Sequence, residues 1–424
     1  MKKIAFILCT LLIMLGCTPQ PAPSPTPTAA LPSPTTTYHD LPLPSATVTN
    51  ATIPTPPDQN TIRVPLDQPT IRDGIDAAQD GDLVLVSPGV YNEQLTLSGK
   101  TIILASEFYT TGDPAYIDST VVDGGGQTVI TVFDTVGENT SIIGLTIRNG
   151  DDGISAFGKL HILNNRIINT DDGIDYEGGG GVCRDNTFEN NSDDGIDLDG
   201  STEVTIEGNL IQNNEDDGIE IRLHAYSGPT LNIVIRDNII SNNGEDGIQL
   251  IDYDDLSDRI FIIERNLIAD NAMVGLGLMD DGITTEDYRA ASIPERIYLI
   301  NNTFVNNPYA VTGGDNLMAI NNLFVNSSNT ALKGVDGESI AAHQLFWNNR
   351  MDNQGSNLDL ATTINADPIF DLAYSLQEGS PAIDAGADFF EWGGETILDT
   401  PGNAYFGAAP DLGKYESNHG APTP

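Results

Sequence analysis

One line recurs through the middle of the chain: an Asn, three mostly apolar residues, then another Asn or an Asp. It reads Asn165-Arg-Ile-Ile-Asn169, Asn186-Thr-Phe-Glu-Asn190, Asn209-Leu-Ile-Gln-Asn213 and Asn238-Ile-Ile-Ser-Asn242. It continues as Asn266-Leu-Ile-Ala-Asp270, Asn302-Thr-Phe-Val-Asn306 and Asn322-Leu-Phe-Val-Asn326. The leading Asn advances by 21, 23, 29, 28, 36 and 20 residues. A period of about 22 with occasional insertions suits one coil of a parallel β-solenoid. Short strands such as Val204-Thr-Ile206 and Ile233-Val-Ile235 would point their β-branched residues inward. The corner Asn would take the tight bend and pass a hydrogen bond to the Asn above and below. The Leu-x-x-Leu-x-Leu frame of leucine-rich repeats is absent, and no 3.6-residue periodicity supports helical repeats. The expected fold is all-β: a single right-handed parallel β-helix with a short N-terminal capping helix.

Both ends suit that architecture, because a solenoid must cover its terminal coils. Thr70 to Gln79 has helical spacing and leads into Gly81-Asp-Leu-Val-Leu-Val86 and Pro88-Gly-Val-Tyr-Asn-Glu93. This stretch resembles the first coil of pectate-lyase-like β-helices. Asp367-Pro-Ile-Phe370, Gly379 to Gly386 and Asp411-Leu-Gly-Lys-Tyr415 resemble the closing segment of secreted bacterial β-helix proteins.

The N-terminus bears on compartment. Lys2 and Lys3 precede an apolar run from Ile4 to Leu15, too short to span a bilayer and suited to a secretory signal. Met14-Leu15-Gly16-Cys17 resembles a bacterial lipobox, which implies lipidation of Cys17. The expected organisation is a signal peptide over 1–17, a disordered Pro/Thr/Ser-rich stalk over 18–60, the β-helix over 61–416 and a tail over 417–424. The stalk holds too little apolar surface to offset its ordering entropy. The expected product is a secreted, cell-surface or outer-envelope lipoprotein, held to the membrane by its lipid anchor alone. A monomer is expected. The formal net charge of −43 excludes nucleic acid as a partner and favours cations.

A second line runs in phase with the first. It comprises Asp151-Asp152-Gly153, Asp171-Asp172-Gly173-Ile174-Asp175, Asp193-Asp194-Gly195-Ile196-Asp197 and Asp216-Asp217-Gly218-Ile219-Glu220. Glu245-Asp246-Gly247 and Asp280-Asp281-Gly282 follow. Residues 151–289 hold 31 of the 61 acidic residues and only 8 Lys or Arg. Turn chemistry is one reading, with Asp capping its own backbone and Gly adopting positive φ. It leaves the preceding acid unexplained, as it does the acid after Ile. Carboxylates stacked ~4.8 Å apart repel by roughly 3 kcal/mol per pair at an effective dielectric near 20. Proton uptake or a bound cation relieves this, and oxygen donors from adjacent coils suit calcium. The candidate ligands are Asp171, Asp172, Asp175, Asp193, Asp194, Asp197, Asp216, Asp217 and Glu220.

Asp193-Asp194-Gly195-Ile196-Asp197 resembles the Asp-Asp-Gly-Trp-Asp calcium motif of family 9 pectate lyases, with Ile196 in place of the aromatic residue. The resemblance implies that Asp193, Asp194 and Asp197 bind calcium, with Asp171 or Asp172 supplying an oxygen from the coil before. It also implies an acidic polysaccharide partner and β-elimination. The family's base is a Lys in an Asn-Gly-Phe-Lys strand a coil or two onward. Here the matching stretches read Asp217-Gly-Ile-Glu220 and Asp246-Gly-Ile-Gln249, without a Lys. The remaining candidates are Arg222 and His224, whose strand parity with Glu220 would point all three to solvent on one face, with Lys159 further up the stack; a salt bridge or an edge position in an insertion is the favoured reading of each. Glycoside hydrolysis by a carboxylate pair stays open. Tyr176, Tyr226, Tyr253 and Tyr288 offer rings to a sugar. Insertions around 223–230, 251–258 and 279–293 would wall a groove or form plain surface loops. The alternative to a polysaccharide-binding, cleaving protein is a calcium-stiffened β-helix acting as an adhesin or envelope component.

Overall fold

The computed structural model describes residues 59–418, except 254–256, 287 and 290. Cys17 and the expected stalk before residue 59 lie outside the described residues. Three parallel sheets of 12, 12 and 11 strands are built from residues 61–365, and each regular coil contributes one strand to each. Sheet I includes Lys159–Leu163, Gly180–Arg184 and Glu203–Glu207, and sheet II includes Arg166–Ile168, Thr187–Glu189 and Leu210–Gln212. Sheet III includes Ile174–Glu177, Ile196–Asp199, Ile219–Leu223 and Ile248–Asp252. The chain visits them in the order I, II, III, winding a right-handed parallel β-helix.

Strand alternation places one set of side chains inside. Ile174, Tyr176, Ile196, Leu198, Ile219, Ile221, Ile248 and Leu250 are buried in one continuous axial core. Phe304, Phe324 and Phe346 stack along it at 5.3 and 5.2 Å between ring centroids. Tyr176 is therefore a core residue, which corrects the expectation that its ring meets a sugar. Its strand position has inward parity, and its ring is fully covered.

The corner Asn residues form the expected ladder between sheets I and II. Nδ2 of Asn186, Asn209 and Asn238 each donates to Oδ1 of the next Asn, at 3.0 Å. The bend itself belongs to the residue before: Asn164, Asp185, Asp237 and Arg265 have φ between 51° and 58°. At the next corner the roles split again. Asn169, Asn190, Asn213 and Asn242 take positive φ. The residues after Asn190, Asn213 and Asn242 form a second buried ladder, Asn191 to Asn214 to Asn243, at 3.0 Å.

The helix Ile71–Ala77, capped by the Thr70 side chain, covers the first coil with Ile71 and Ile75. After residue 353 the regular coils give way to irregular chain and the hairpin Phe389–Trp392/Glu395–Asp399. The closing segment returns along the stack: Lys414 Nζ donates to Arg265 O at 2.8 Å and Asn238 O at 3.3 Å. The stretch after Leu223 is not a loose insertion, because Tyr226–Arg236 is one long strand of sheet I. Arg259 Nη1 fastens its start through His224 O at 2.9 Å. Among the described residues, no helix is long and apolar enough to cross a membrane.

Candidate metal centre

The Asp-Asp-Gly motifs lie at the turn into sheet III. None of Gly153, Gly173, Gly195, Gly218 and Gly247 has positive φ, against the expectation from turn chemistry. Glycine is needed there because the coils approach closely. A methyl on Gly195 would stand 2.6 Å from Gly218 O, and one on Gly173 would stand 2.4 Å from Gly195 O.

Three columns of acids result. The first Asp of each motif lies outermost, as at Asp171, Asp193 and Asp216. The second turns inward and staples the next coil. Asp172 Oδ1 accepts from Asp194 N at 3.0 Å, Asp194 Oδ1 from Asp217 N at 2.8 Å, and Asp217 Oδ1 from Asp246 N at 2.6 Å. Asp194 and Asp217 are only 3% and 1% exposed. The third column is the outward residue of each sheet III strand, in the register Asp175, Asp197, Glu220, Gln249, Gly277, Thr312, Lys333.

Three groups of carboxylates bring their oxygens within 4.8 Å of one another: Asp193, Asp194, Asp216; Asp194, Asp197, Glu220; and Asp216, Asp217, Glu245. They centre on the coils of Asp193 and Asp216. Asp171, Asp172 and Asp175 stand one coil before; Asp171 accepts from Ser192 Oγ at 2.8 Å.

The electrostatics follow from burial. Asp197 is pushed up to about 6 chiefly by burial, with Arg222 pulling the other way. Burial likewise drives Asp172 and Glu220 to about 8 and Asp175 to about 7, with neighbouring carboxylates adding to it. Asp194 and Asp217 are likewise raised well above the usual carboxylate range by burial and like charge. Asp175 Oδ1 and Asp197 Oδ1 are buried without a hydrogen-bond donor among the described residues. An all-oxygen set with orphaned oxygens and raised proton affinity fits a hard divalent cation.

Arg222 supplies part of that charge. Its guanidinium contacts Asp197 and Glu220, and Nη1 lies 3.7 Å from Asp199 Oδ1. Those carboxylates hold it cationic, which removes it as a proton acceptor. Glu220 and Asp197 are largely covered rather than solvent-facing. His224 Nε2 stands 3.3 Å from Asp199 Oδ1, and its ring stacks on Tyr253 at 4.9 Å. Lys159 is occupied by Glu203 at 2.8 Å. Asp199 and Glu245 went unremarked as site residues. Asp199 has the strand parity of Asp197, and Glu245 heads its own Glu-Asp-Gly motif, so both signals were present.

Residues 128–328 match the family described as "Right handed beta helix region". No curated protein matches the sequence. Among solved structures, the chain is similar to pectate lyase Pel9A, at 16% identity over 81% of this chain and 90% of that one, with a TM-score of 0.52. A variant of the periplasmic alginate epimerase AlgG matches at 11% identity over 72% and 82% of the two chains, TM-score 0.41. The catalytic unit of an α-1,3-glucanase from Streptomyces thermodiastaticus matches at 16% over 72% and 66%, TM-score 0.44. Sheet topology, repeat and comparisons agree that this chain is a right-handed parallel β-helix, a fold it shares with pectate lyase Pel9A.

Proposed function

We propose that the protein binds an acidic polysaccharide through calcium held on sheet III, as a secreted lipoprotein anchored at Cys17. The observation that carries this reading is the cage of Asp194, Asp197 and Glu220. Its oxygens lie within 4.8 Å of one another, and Asp197 Oδ1 has no donor. Asp193, Asp216, Asp217 and Glu245 extend the donor set to the neighbouring groups. Bound there, calcium would neutralise a uronate carboxylate. The fold shared with a pectate lyase supports a carbohydrate ligand.

Binding is better supported than cleavage. The lysine in the outward column is Lys333, four strands beyond Glu220. That is roughly 19 Å at the spacing of parallel strands, too far to take a proton from a sugar seated on the acids. His224 is the specific feature that favours β-elimination, since a half-exposed imidazole next to the site can accept a proton.

The test is retention of the protein on immobilised polygalacturonate and alginate, with calcium and with chelator. Calcium-dependent retention is expected, weakened at least about tenfold in the Asp194→Asn/Asp197→Asn variant, in line with losing charged ligands. Equal retention in chelator would sink the reading. Absorbance of an unsaturated product, abolished by His224→Ala, would establish cleavage. If calcium raises the melting temperature yet no uronate polymer is retained, the stiffened-adhesin alternative takes its place.

Arg222 yields a separate expectation. Replacing it by Gln removes a positive charge that competes for the same oxygens, so calcium should bind tighter by about tenfold or more. The metal-free protein should melt lower. Titration calorimetry and melting curves of the variant check both.

A further inference from the structure

Two strands beyond Glu220, at Gly277, the outward column of sheet III meets Glu286 from the insertion over 279–293. A methyl built on Gly277 would stand 2.0 Å from Asp246 Oδ2 and 2.6 Å from Glu286 Oε2. Two carboxyl groups from distant parts of the chain thus meet in the space that the missing side chain leaves. Asp246 spends its other oxygen on Val274 N at 2.8 Å. Glu286 Oε1 accepts from Tyr288 N at 2.5 Å.

The flanking residues make this more than an acidic pair. Gln249 and Thr312 are the register neighbours of Gly277 on either side, and both are 0% exposed. Their strand neighbours Ile248, Leu250 and Val311 fill the core, so alternation aims Gln249 and Thr312 outward, under the insertion. Among the described residues, neither amide atom of Gln249 has a hydrogen-bond partner, and neither has Thr312 Oγ1. Buried polar groups are almost always satisfied. Three such atoms around one glycine, beside two carboxyl groups, point to a ligand-binding spot. Above them Tyr288 stacks on Tyr309 at 4.5 Å, and Lys333 Nζ donates to Tyr288 O. Tyr288 thus ties the insertion down here, and Gln249 and Thr312 are closed off from solvent.

We propose that Asp246, Glu286, Gln249 and Thr312 form a second, closed cation site over Gly277, which takes a divalent ion such as calcium and clasps the 279–293 insertion onto sheet III. Two carboxylates, an amide oxygen and a hydroxyl are the hard oxygen set that calcium selects. The ion would join residues far apart in sequence, so it acts as a brace for the insertion. None of the four residues belongs to the cage of Asp194, Asp197 and Glu220, so the two sites can be separated by mutation.

The test uses calcium itself, with bound ion per chain read by atomic emission after dialysis, and trypsin cleavage at Arg289 in the insertion as the second readout. The expected result is that calcium slows cleavage at least tenfold, both in the parent and in the Asp194→Asn/Asp197→Asn variant. Glu286→Ala should lose one bound ion and the protection together. Glu286 lies on the insertion, so this variant spares the coils; Gly277→Ala, which fills the space, should repeat the result. Protection that vanishes with Asp194→Asn/Asp197→Asn but survives Glu286→Ala would overturn the second site and leave the polysaccharide-binding cage standing. Unchanged ion content in Glu286→Ala and Gly277→Ala would overturn it as well.

Discussion

Stripped of divalent cations, the protein is expected to melt at a lower temperature near pH 8 than near pH 5, and calcium to erase most of the difference. Asp197 is pushed up to about 6, Asp175 to about 7, and Asp172 and Glu220 to about 8, each chiefly by burial. In the unfolded chain the same groups release their protons near pH 4. Between those limits the folded state binds more protons than the unfolded one, so stability falls as pH rises. The contribution is complete below about pH 4 and is lost on passing through about 6 to 8. Each tenfold difference in proton affinity is worth about 1.4 kcal/mol. The groups share one cage and do not add, so a loss on the order of several kcal/mol is expected rather than their sum.

Calcium replaces the protons. It should therefore raise the melting temperature more near pH 8, where no proton competes, than near pH 5. Scanning calorimetry in chelator and in excess calcium at both pH values measures this directly. General repulsion in so acidic a chain acts in the same direction. The Asp197→Asn/Glu220→Gln variant separates the two: it keeps nearly all the charge and should flatten much of the pH slope. A slope unchanged in that variant, or equal calcium increments at both pH values, would show that the cage does not hold the protons.

Much of the architecture was legible because it is periodic. The leading Asn and the Ile-rich strand centres repeat in step, and each repeat asks for the same environment as the one before. The ladder from Asn165 onward follows from that. The division of labour at each corner was hidden, because Asn serves in two ways: its amide satisfies a buried ladder, and its backbone tolerates positive φ. The pattern Asn-x-x-x-Asn records both without saying which position does which. The glycine of the acidic motif is ambiguous for a similar reason. Glycine marks either positive φ or close approach, and at Gly195 it is close approach to Gly218 O.

For the site, strand parity places Glu220 and Arg222 on one side of sheet III, where they meet Asp197. What parity does not reveal is depth. Asp194 and Asp217 turn inward to hold the next coil's amide, and Tyr176 is inside although it follows an acidic motif. Contacts such as Glu286 on Asp246 depend on how an insertion folds back, and no period encodes them. The lysine of the column shows the same limit: Lys333 is in register only because four coils of unequal length intervene.

The Asn ladder offers the sharper test of the fold. Asn238 is fully buried, and its side chain makes four hydrogen bonds. Oδ1 accepts from the backbone N of Asn209 at 2.9 Å and from its Nδ2 at 3.0 Å. Nδ2 donates to Asn266 Oδ1 and to Ile206 O, both at 3.0 Å. Truncation to Ala strands partners on both neighbouring coils, and each buried group left unsatisfied costs about 1–3 kcal/mol. Asn238→Ala should therefore destabilise by roughly 4 kcal/mol or more. Asn242, four residues on in the same motif, is exposed and sits at φ 58°. Its side chain enters no ladder, and glycine adopts that backbone freely, so Asn242→Gly should change stability by no more than about 0.5 kcal/mol. Urea midpoints of the two variants, measured in excess calcium to hold the acidic cage constant, decide the matter. Similar losses in both would mean that the corner bend, rather than the amide ladder, carries the stability of the coil stack. A large loss confined to Asn238 would show that two identical residues in one short motif are held for different physical reasons.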